Sequence, residues 1–411
     1  MSTPSDLPRG AEIFDAAFLA DPHPYFARLR RDEAVSRIGA SGAHWVLRWT
    51  AVEEALARED DFSAHLTGVL VRGADGAPAL FAIPATGANQ VIATADEPEH
   101  GVHRALTQPR LVAPRVAELE APLRAWVDEA LAPWLAAGGG DFVPLAETVP
   151  ARAVARLLGL PDGDVASFRR WAMMGGAMLA GDVDAAGMAE LAAETGRMVE
   201  YLGRHLAAAQ AAPEAGDGAP MLHALARGVA AGDIDASAAV GIAVVMFGAG
   251  GESTAALLAS CVWRLALAPE LAEALRADPK QIPRYVEEVA RLESPFKFHY
   301  RLVRRDCELA GTKLAAGDRL LLAWAAANRD PEHFEAADAL RLDRRHPKDH
   351  LGFGRGAHFC IGAPLARLEA RAMLEALLAR TRRIALREAA PPLWARSLFV
   401  RRLERLVLEA A

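Results

Sequence analysis

The stretch FGRGAHFCIGAPLARLE, residues 353–369, places a single cysteine between a glycine-rich turn and an apolar helix. A cysteine just before a helix lies near unpaired backbone N–H groups and the positive end of the helix dipole, which stabilise a thiolate. The thiolate is the form of cysteine that binds metals or attacks carbon. Gly354, Gly356 and Gly362 let the backbone approach a flat or bulky group. The pattern therefore predicts either a functional thiolate or a buried structural cysteine.

The composition is that of a globular protein with a mildly acidic balance. Of its 411 residues, 52% are hydrophobic, and the formal net charge of −7 argues against a nucleic-acid partner. The three cysteines, Cys261, Cys307 and Cys360, are odd in number and far apart, as in proteins of a reducing compartment. The N-terminus lacks a signal-peptide pattern, and the longest apolar run, 238–251, is too short and glycine-rich for a membrane span. We expect a cytoplasmic protein without a membrane partner.

Helical periodicity dominates the chain, most clearly over residues 116–137 and 185–212. Residues 236–267 predict one long helix that is apolar on most sides and therefore central. The few strand-like segments are short: 44–49, 298–305, 320–327 and 405–410. No linker separates two cores. We therefore predict one domain over residues 1–411, mainly α with small β-sheets.

Residues 61–95 form a long, weakly patterned segment that nevertheless holds several apolar side chains. Long loops in compact domains are often lids or binding loops. The apolar content favours a loop that covers a pocket over a free surface loop.

The predicted central helix contains GAGGEST, residues 248–254. Each glycine inside a helix costs about 1 kcal/mol relative to alanine, so three of them indicate a kink or the close approach of a ligand. Glu252 follows directly, and a carboxylate in an apolar helix is rarely structural unless it is paired. Val245, Ala249 and Ser253 recur every four residues, so that this small-residue face can line a cavity.

Two charged pairs also lie at helical spacing. Glu288 and Arg291 are three residues apart and can form an ion pair, and His100 and Arg104 are four apart and can hold an anion together. Taken alone, each pair is more typical of an ordinary helical ion pair or a solvated surface than of a functional site.

Together and in this order, the four stretches closely resemble the cytochrome P450 family of haem-thiolate monooxygenases, from about residue 21 to the C-terminus. The cysteine stretch matches the family pattern at eight positions, namely Phe353, Gly354, Gly356, His358, Cys360, Gly362, Ala366 and Arg367. The resemblance implies the P450 fold, haem b as cofactor, O2 as co-substrate and Cys360 as the axial ligand of the iron.

The resemblance also implies roles for further residues. The haem propionates would be bound by His100, Arg104, Arg301 and His358, and Ala249, Phe353, Gly354, Arg355 and Gly362 would also contact the haem. Glu288 and Arg291 would be structural and stabilise the cysteine loop. The third partner of that pair falls near Ala339, which cannot serve, so either Arg341 or Arg344 is expected to replace it.

Glu252, Ser253 and Thr254 match the catalytic segment of the family, in which an acid and an alcohol deliver protons during oxygen activation. The family usually has threonine where this chain has Ser253. Serine keeps the hydroxyl but loses the methyl group that stiffens the rotamer, so we expect looser proton delivery and more uncoupled oxygen reduction. The polar pair argues against a peroxide-using branch of the family.

By resemblance, the substrate pocket lies between the 61–95 loop, residues 171–179, the Val245 face and segments 295–299 and 398–400. The candidate pocket residues are Phe81, Met173, Met174, Met178, Val245, Gly248, Ala249, Phe296, Lys297, Phe298, Leu398 and Phe399. Most are apolar, which suits a small hydrophobic substrate. For Lys297 two readings are open: it points to solvent or a propionate, or it anchors a substrate carboxylate.

Because the resemblance covers nearly the whole chain, we do not expect a fused flavin reductase. We expect the electrons to come from a separate ferredoxin and an NAD(P)H-dependent ferredoxin reductase. Five arginines near the cysteine loop could meet an acidic ferredoxin, namely Arg110, Arg115, Arg355, Arg367 and Arg371. The predicted reaction inserts one oxygen atom into a C–H bond. The alternatives are desaturation or coupling on the same scaffold, or a haem protein that binds a gas without catalysis.

Overall fold

The computed structural model describes residues 10–83, 89–212, 216 and 218–411. The α-helices are α1 Ala16–Ala20, α2 His23–Asp32, α3 Trp49–Ala57, α4 Glu99–Thr107, α5 Ala113–Ala117, α6 Glu120–Ala136, α7 Val143–Leu158, α8 Val165–Ala172, α9 Met174–Met178, α10 Ala185–Ala211, α11 Met221–Ala231, α12 Ala236–Leu267, α13 Pro269–Ala277, α14 Ile282–Glu293, α15 Trp324–Ala327 and α16 Ala363–Arg380. The strands are β1 Val35–Arg37, β2 Ala43–Val46, β3 Phe62–Ser63, β4 Gly68–Arg72, β5 Pro78–Ala82, β6 Gly139–Asp141, β7 His299–Val303, β8 Cys307–Leu309, β9 Thr312–Leu314, β10 Arg319–Leu322, β11 Ile384–Leu386, β12 Leu393–Trp394, β13 Leu403–Arg405 and β14 Val407–Ala410.

Helix α12 occupies the bounds that its sequence predicts and lies in the largest apolar core, packed against α7, α8, α10, α14 and α16 among others. It begins where the Asp235 carboxylate accepts a hydrogen bond from the backbone N–H of Ala238 at 2.7 Å. It ends before Pro269, which cannot continue its hydrogen bonding and instead begins α13. Its length and hydropathy would suffice for a membrane span, but 67% of its most apolar window is buried inside the protein.

The glycines of α12 allow other helices to pack closely against it. A Cβ on Gly251 would lie 2.4 Å from the Ala172 Cβ at the end of α8, and a Cβ on Gly248 would lie 3.5 Å from the Gly175 Cα in α9. A Cβ on Gly250 would lie 2.9 Å from a methyl group of α7. The sequence predicts a kink or a ligand at these glycines. Their close neighbours are α7, α8 and α9, because several helices converge on one central helix, and Gly250 also lines a cavity.

The main sheet has the strand order β1–β2–β10–β7–β3, in which β10 runs parallel to β2 and the other pairs are antiparallel. The predicted strand at 320–327 is correct only in its first half, since the chain turns into α15 at Trp324. The predicted strand at 44–49 likewise ends at Val46, and Trp49 begins α3. In both cases apolar side chains continue into a short buried helix, a change that an unbroken apolar run does not show.

The 61–95 segment is not a structureless loop, because strands β4 and β5 form a hairpin within it. The Leu70 N–H donates to the Tyr300 hydroxyl at 3.0 Å, and the Arg72 N–H donates to the Gly181 carbonyl at 2.9 Å. The hairpin thereby packs on a second core built by the N-terminal segment and the main sheet. Residues 84–88 of this segment lie outside the described residues.

Candidate active site

The cysteine stretch folds into a tight loop that presents Cys360 at the start of α16. Gly354 and Gly356 have φ angles of +67° and +73°, which side-chain-bearing residues rarely adopt. The Cys360 N–H donates to the Phe353 carbonyl at 2.9 Å and closes the loop. Gly362 is the N-cap of α16, and a Cβ there would come within 3.7 Å of the Cys360 sulfur. The loop therefore holds the sulfur against the first turn of the helix.

Two opposing effects act on the Cys360 thiol. Burial raises its pKa, while the backbone N–H groups of Gly362 and Ala363 lower it, and burial is the larger effect. The helix start thus favours the thiolate, as its sequence predicts, but does not outweigh burial. A cation at the sulfur would supply the missing stabilisation, since metal ions bind cysteine as the thiolate.

Cys360 lies on the wall of a large cavity, whose empty volume is about 1240 Å³ including its mouth. The α12 side of the wall is formed mainly by small and apolar residues, namely Val245, Met246, Ala249, Gly250, Ser253, Thr254 and Leu257. Val245, Ala249 and Ser253 share this wall, which is the face that their four-residue spacing predicts. The cavity therefore lies between the central helix and the cysteine loop.

Four basic side chains from three separate parts of the chain line the same cavity: His100 and Arg104 of α4, Arg301 of β7 and His358 of the cysteine loop. The rings of His100 and His358 are 4.1 Å apart. His100 Nδ1 is 3.0 Å from the Glu97 carboxylate, and Arg104 donates to the Phe359 carbonyl at 3.0 Å. These contacts fix the orientation of the side chains at one end of the cavity.

The charges at this end are set by burial. Burial and the nearby Arg301 lower the pKa of His358 to about 3, so His358 is a neutral donor at physiological pH. Burial also lowers the pKa of Arg301, to about 10, which still leaves it cationic. The cluster can therefore bind carboxylates through both charge and neutral hydrogen-bond donors.

Comparison with known proteins identifies the family. A curated relative, "Cytochrome P450 144" of Mycobacterium tuberculosis, is 42% identical over 410 residues, which cover 96% of this chain and 90% of the relative. The chain belongs to the cytochrome P450 family. The family model "Cytochrome P450" matches residues 233–393. "Cytochrome P450 monooxygenase PikC" of Streptomyces venezuelae is 33% identical, covering 90% of this chain and 86% of that relative.

Solved P450 structures share the fold. The structure of CYP109E1 from Bacillus megaterium in complex with testosterone superposes with a TM-score of 0.84 at 25% identity, covering 96% of this chain and 98% of that chain. The protein is therefore an oxidoreductase of the P450 monooxygenase class, with haem b as cofactor and O2 as co-substrate.

The residues present fit a haem. The cavity supplies a cysteine sulfur for the iron, apolar side chains for the ring and, at one end, His100, Arg104, Arg301 and His358 for the two propionates. Phe353, Gly354, Arg355, Gly362 and Ala249 also line this cavity.

The Glu288–Arg291 pair of this P450 is fully buried and forms two hydrogen bonds of 2.9 Å. Arg291 also donates to the carbonyls of Asn328, Ala337 and Ala339. Of the two candidate third partners, Arg344 reaches the Glu288 carboxylate with its side chain at 2.9 Å. Arg341 contributes only its backbone N–H, and its side chain pairs with Asp343 at the surface. Arg344 therefore replaces the partner missing at Ala339.

A second buried network holds the cysteine loop to α14. Arg367 of α16 binds the Glu287 carboxylate at 2.7 and 3.0 Å, and His350 binds the same group at 2.9 Å. The Arg367 guanidinium also lies 4.5 Å from the centre of the Phe353 ring. These partners outweigh burial and lower the pKa of Glu287 to about 2. Nothing in the spacing of Glu287 and Arg367, 80 residues apart, signals this network.

Glu252 does not face the haem cavity. Its carboxylate lies on another side of α12, where it accepts hydrogen bonds from the Gly176 N–H at 2.6 Å and from Arg402 at 3.0 Å. Ser253 and Thr254 do line the cavity, and the Ser253 hydroxyl donates to the Ala249 carbonyl at 2.5 Å. The structure thus separates the predicted acid from its alcohol, because consecutive helix residues point about 100° apart.

Several predicted pocket residues lie elsewhere. Among the described residues, Val245, Ala249 and Phe296 line the cavity. The others do not, and these placements correct the prediction for Phe81, Met173, Met174, Met178, Gly248, Lys297, Phe298, Leu398 and Phe399. Phe81 is 57% exposed on β5. Met173, between α8 and α9, and the two methionines of α9 pack with the helical core because α9 turns its glycines toward α12.

Lys297 neither points to solvent or a propionate nor lies where it could anchor a substrate carboxylate, so both interpretations from the sequence are wrong. Its side chain is fully buried, and Nζ donates to the carbonyls of Leu19 at 3.0 Å and Ser397 at 2.7 Å. Burial lowers its pKa well below the usual range. Phe298 likewise points away from the cavity and packs edge-on against Trp45. Only Phe296 and His299 of this segment reach the cavity together with Pro295.

Two further polar residues line the cavity: His299, which lies in the predicted 295–299 segment but was not singled out, and Trp324, which sequence reasoning missed. His299 lies two residues before Arg301 on β7, so the alternation of a strand places both side chains on one face. That period could have singled out His299 once Arg301 was assigned to the cavity. Trp324 gives no such signal, because it begins a four-residue helix that was predicted as a strand.

Proposed function

We propose that this P450 inserts one atom of O2 into a C–H bond of a small hydrophobic substrate, with electrons from a separate ferredoxin and its NAD(P)H-dependent reductase. The proposal also takes residues 1–411 as one P450 domain in the cytoplasm. The observation that carries it is a single cavity that joins Cys360, a carboxylate-binding end and the apolar α12 wall. Bound haem would supply the oxygen-activating chemistry, which a cysteine ligand favours.

The chain's own residues position the substrate and exclude water. Val245, Ala249 and Phe296 give the cavity an apolar surface, which suits C–H groups and disfavours bulk water. The Ser253 hydroxyl lies on the same wall and can pass a proton into the cavity. Both features fit a reaction in which the protein controls the entry of water and the supply of protons to the cavity, while the cofactor activates oxygen.

Glu252 is the proposed proton source. Burial raises its pKa to about 7 against the opposing effects of Arg402 and the Gly176 N–H. A carboxyl group with a pKa near the working pH can both hold and release a proton. To reach Ser253 the side chain has to leave Arg402, so proton delivery requires a change of rotamer at Glu252.

The ferredoxin would bind on the cysteine-loop side. Arg110 is buried and donates to the Ala219 carbonyl, so it is removed from the predicted docking set. Arg367 is held by Glu287, whereas Arg115, Arg355 and Arg371 are partly exposed ion-pair members. The proposal predicts that Arg371→Glu slows electron transfer from ferredoxin most at low salt, because exposed charges act at long range only there.

The test of the proposed function is reconstitution with ferredoxin, reductase, NADH and ¹⁸O₂, followed by mass spectrometry of the product. The expected product carries one ¹⁸O atom. Cys360→Ser should abolish both turnover and the red-shifted carbon monoxide band of thiolate-ligated haem, whereas Cys307→Ser in β8 serves as the matched control. A product that has lost two hydrogens without gaining ¹⁸O would indicate desaturation and contradict insertion.

A further inference from the structure

A buried cluster of positive charge lies where the C-terminal segment of the chain meets α1 and the end of α14. Glu293, the last residue of α14, is fully buried and binds Arg264 of α12 and Arg401 at 2.8 Å each. Arg329 lies 3.9 Å from the same carboxylate and also binds Asp338, which is 75% exposed. Glu293 thus faces three guanidinium groups, and the second carboxylate that balances them lies in water.

A further cationic side chain joins the cluster at the end of α1. Nζ of Lys297 donates to the Leu19 carbonyl at 3.0 Å, and the Arg401 guanidinium donates to the next carbonyl, that of Ala20. Asp21 follows in the chain but is exposed, so water and salt screen its charge. Buried positive charge therefore exceeds buried negative charge here. We define the Glu293 cluster as Arg264, Glu293, Lys297, Arg329 and Arg401.

His23, the first residue of α2, brings an unpaired ring to the Glu293 cluster. Both ring nitrogens are inaccessible to solvent and have no hydrogen-bond partner among the described residues. A neutral imidazole offers one donor and one acceptor, and leaving these groups buried and unpaired costs free energy. Burial lowers the pKa of His23 well below its usual range, and the cations of the cluster lower it further. The charges of the cluster therefore act directly on this ring.

An anion beside His23 would correct both the unpaired ring and the surplus of charge. It would accept a hydrogen bond from the ring, favour the protonated form and balance the cations of the cluster. A water molecule could pair with the ring but would leave the charge unbalanced. The positive end of the α2 dipole lies at the same residue and adds to the attraction.

The surroundings of His23 favour a small ion. The residue as a whole is partly exposed, so the site lies just below the surface and within reach of dissolved ions. The ring nitrogens themselves are closed off from solvent. The space beside them therefore suits a single compact ion and not a phosphate or an organic acid.

We propose that His23 and the Glu293 cluster form a binding site for a small inorganic anion such as chloride, held by the protonated ring of His23. The inference goes beyond the oxidation reaction, which makes no use of this ion. A bound anion would instead stabilise the junction of α1 and α2 with the C-terminal segment.

The test is thermal unfolding of the holoprotein at constant ionic strength, with chloride replacing the bulky anion gluconate. We expect the unfolding midpoint of the parent to rise with the logarithm of chloride concentration once the site fills, because the ion binds the folded chain. His23→Phe should show no such rise. Without chloride it should be at least as stable as the parent, since it buries no unpaired polar group. His346→Phe, at an exposed histidine, is the matched control and should respond as the parent does.

The pH dependence of the chloride effect identifies the group that takes up a proton. If His23 binds the ion in its protonated form, the chloride concentration at half effect should increase about tenfold for each pH unit between the pKa of the free and the bound ring. His23→Phe should lose this dependence.

The other charged groups around the ring give a different response. The arginines stay cationic, and Asp21 and Asp338 are exposed to solvent. Burial alone would raise the pKa of Glu293, but the arginines lower it, so this carboxylate stays ionised. Burial lowers the pKa of Lys297, which makes it the rival proton acceptor. A pH dependence that persists in His23→Phe would assign the proton to Lys297 and contradict the proposal.

A second measurement needs no variant. Crystals of the parent soaked in bromide should show an anomalous peak within contact distance of a His23 ring nitrogen. An unfolding midpoint that does not respond to chloride, an equal response in His23→Phe, or the absence of bromide at His23 would overturn the proposal, and water would then be the partner of the ring. A chloride effect that shifts the haem absorbance band would place the ion at the iron and would also overturn it.

Discussion

At the scale of single residues, Glu252 shows how a neighbour decides what a motif residue does. The sequence places an acid beside an alcohol, but Arg402 and the Gly176 N–H hold the carboxylate away from the cavity. Arg402 is 150 residues distant in sequence. Burial at this position raises the pKa of Glu252 from the ordinary 4.5 to about 7, although Arg402 and the Gly176 N–H act in the opposite direction.

A pH-dependent stability follows from Glu252. Between about pH 4.5 and about pH 7 the folded protein binds a proton that the unfolded chain releases, so stability falls as pH rises through this window. The contribution is about 3 kcal/mol at most. We expect Glu252→Gln to lose this fall when urea unfolding is measured at about pH 5 and about pH 8. Glu404→Gln, at the exposed second carboxylate beside Arg402, should keep it. An unchanged pH slope in Glu252→Gln would contradict the assignment.

Ser253 carries a second prediction at this scale. Its hydroxyl donates to the Ala249 carbonyl, and the missing methyl leaves its rotamer less restricted than that of threonine. We expect Ser253→Thr to release less hydrogen peroxide per NADH than the parent, and Ser253→Ala to release more. Equal coupling in the parent and Ser253→Thr would show that rotamer freedom does not limit proton delivery.

At the scale of elements, the buried Glu288 network joins α14 to residues 337–344, the segment that precedes the cysteine loop. Arg344 reaches Glu288 with its side chain, whereas the Arg341 side chain points outward. Arg344→Ala should lower the free energy of unfolding by about 3 kcal/mol, because it leaves part of a buried carboxylate unpaired. Arg341→Ala, which retains the backbone N–H, should change it by no more than about 0.5 kcal/mol. Urea unfolding distinguishes the two, and equal losses would refute the assignment of Arg344.

Helix packing on α12 gives another prediction. Gly251→Ala should destabilise the protein by about 1–3 kcal/mol, because the new methyl group would overlap Ala172. Gly203→Ala in α10, where a Cβ meets nothing within 4 Å, should instead stabilise it by about 0.5–1 kcal/mol. Thermal unfolding of the two variants checks the opposite signs. Stabilisation by Gly251→Ala would mean that α8 is free to move away from α12.

At the scale of the whole molecule, Lys297 links an N-terminal segment of the chain to a C-terminal one. Its Nζ binds the Leu19 carbonyl at the end of α1 and the Ser397 carbonyl near the C-terminus. Lys297→Met should cost about 2–3 kcal/mol by leaving two buried carbonyls without donors. Lys313→Met, at an exposed position of β9, is the matched control. In titrations with paired carboxylic acids and neutral compounds, Lys297→Met should keep the ratio of affinities of the parent. A changed ratio would mean that Lys297 anchors the substrate after all.

Local pattern was sufficient for the main elements and for the haem end of the site. Helix α12 occupies the predicted bounds because its apolar period is long and uninterrupted. Cys360, His100 and Arg104 line the cavity as their motifs predict. The substrate side is predicted less well. Lys297 and Phe298 are assigned to the pocket only by their position in the chain, and a shift of one residue along an extended segment turns a side chain to the opposite face.

By itself, the sequence of this protein determined the P450 family, the central helix and the position of the cysteine that we propose as the iron ligand, because these depend on fixed spacings within one segment. The tertiary structure alone decided that Arg344 completes the Glu288 network, that Arg402 holds Glu252 and that Trp324 orients His299. Each of these contacts joins residues that are 25 to 150 positions apart. Such pairs depend on how helices and strands are packed in space, and no local period encodes that arrangement.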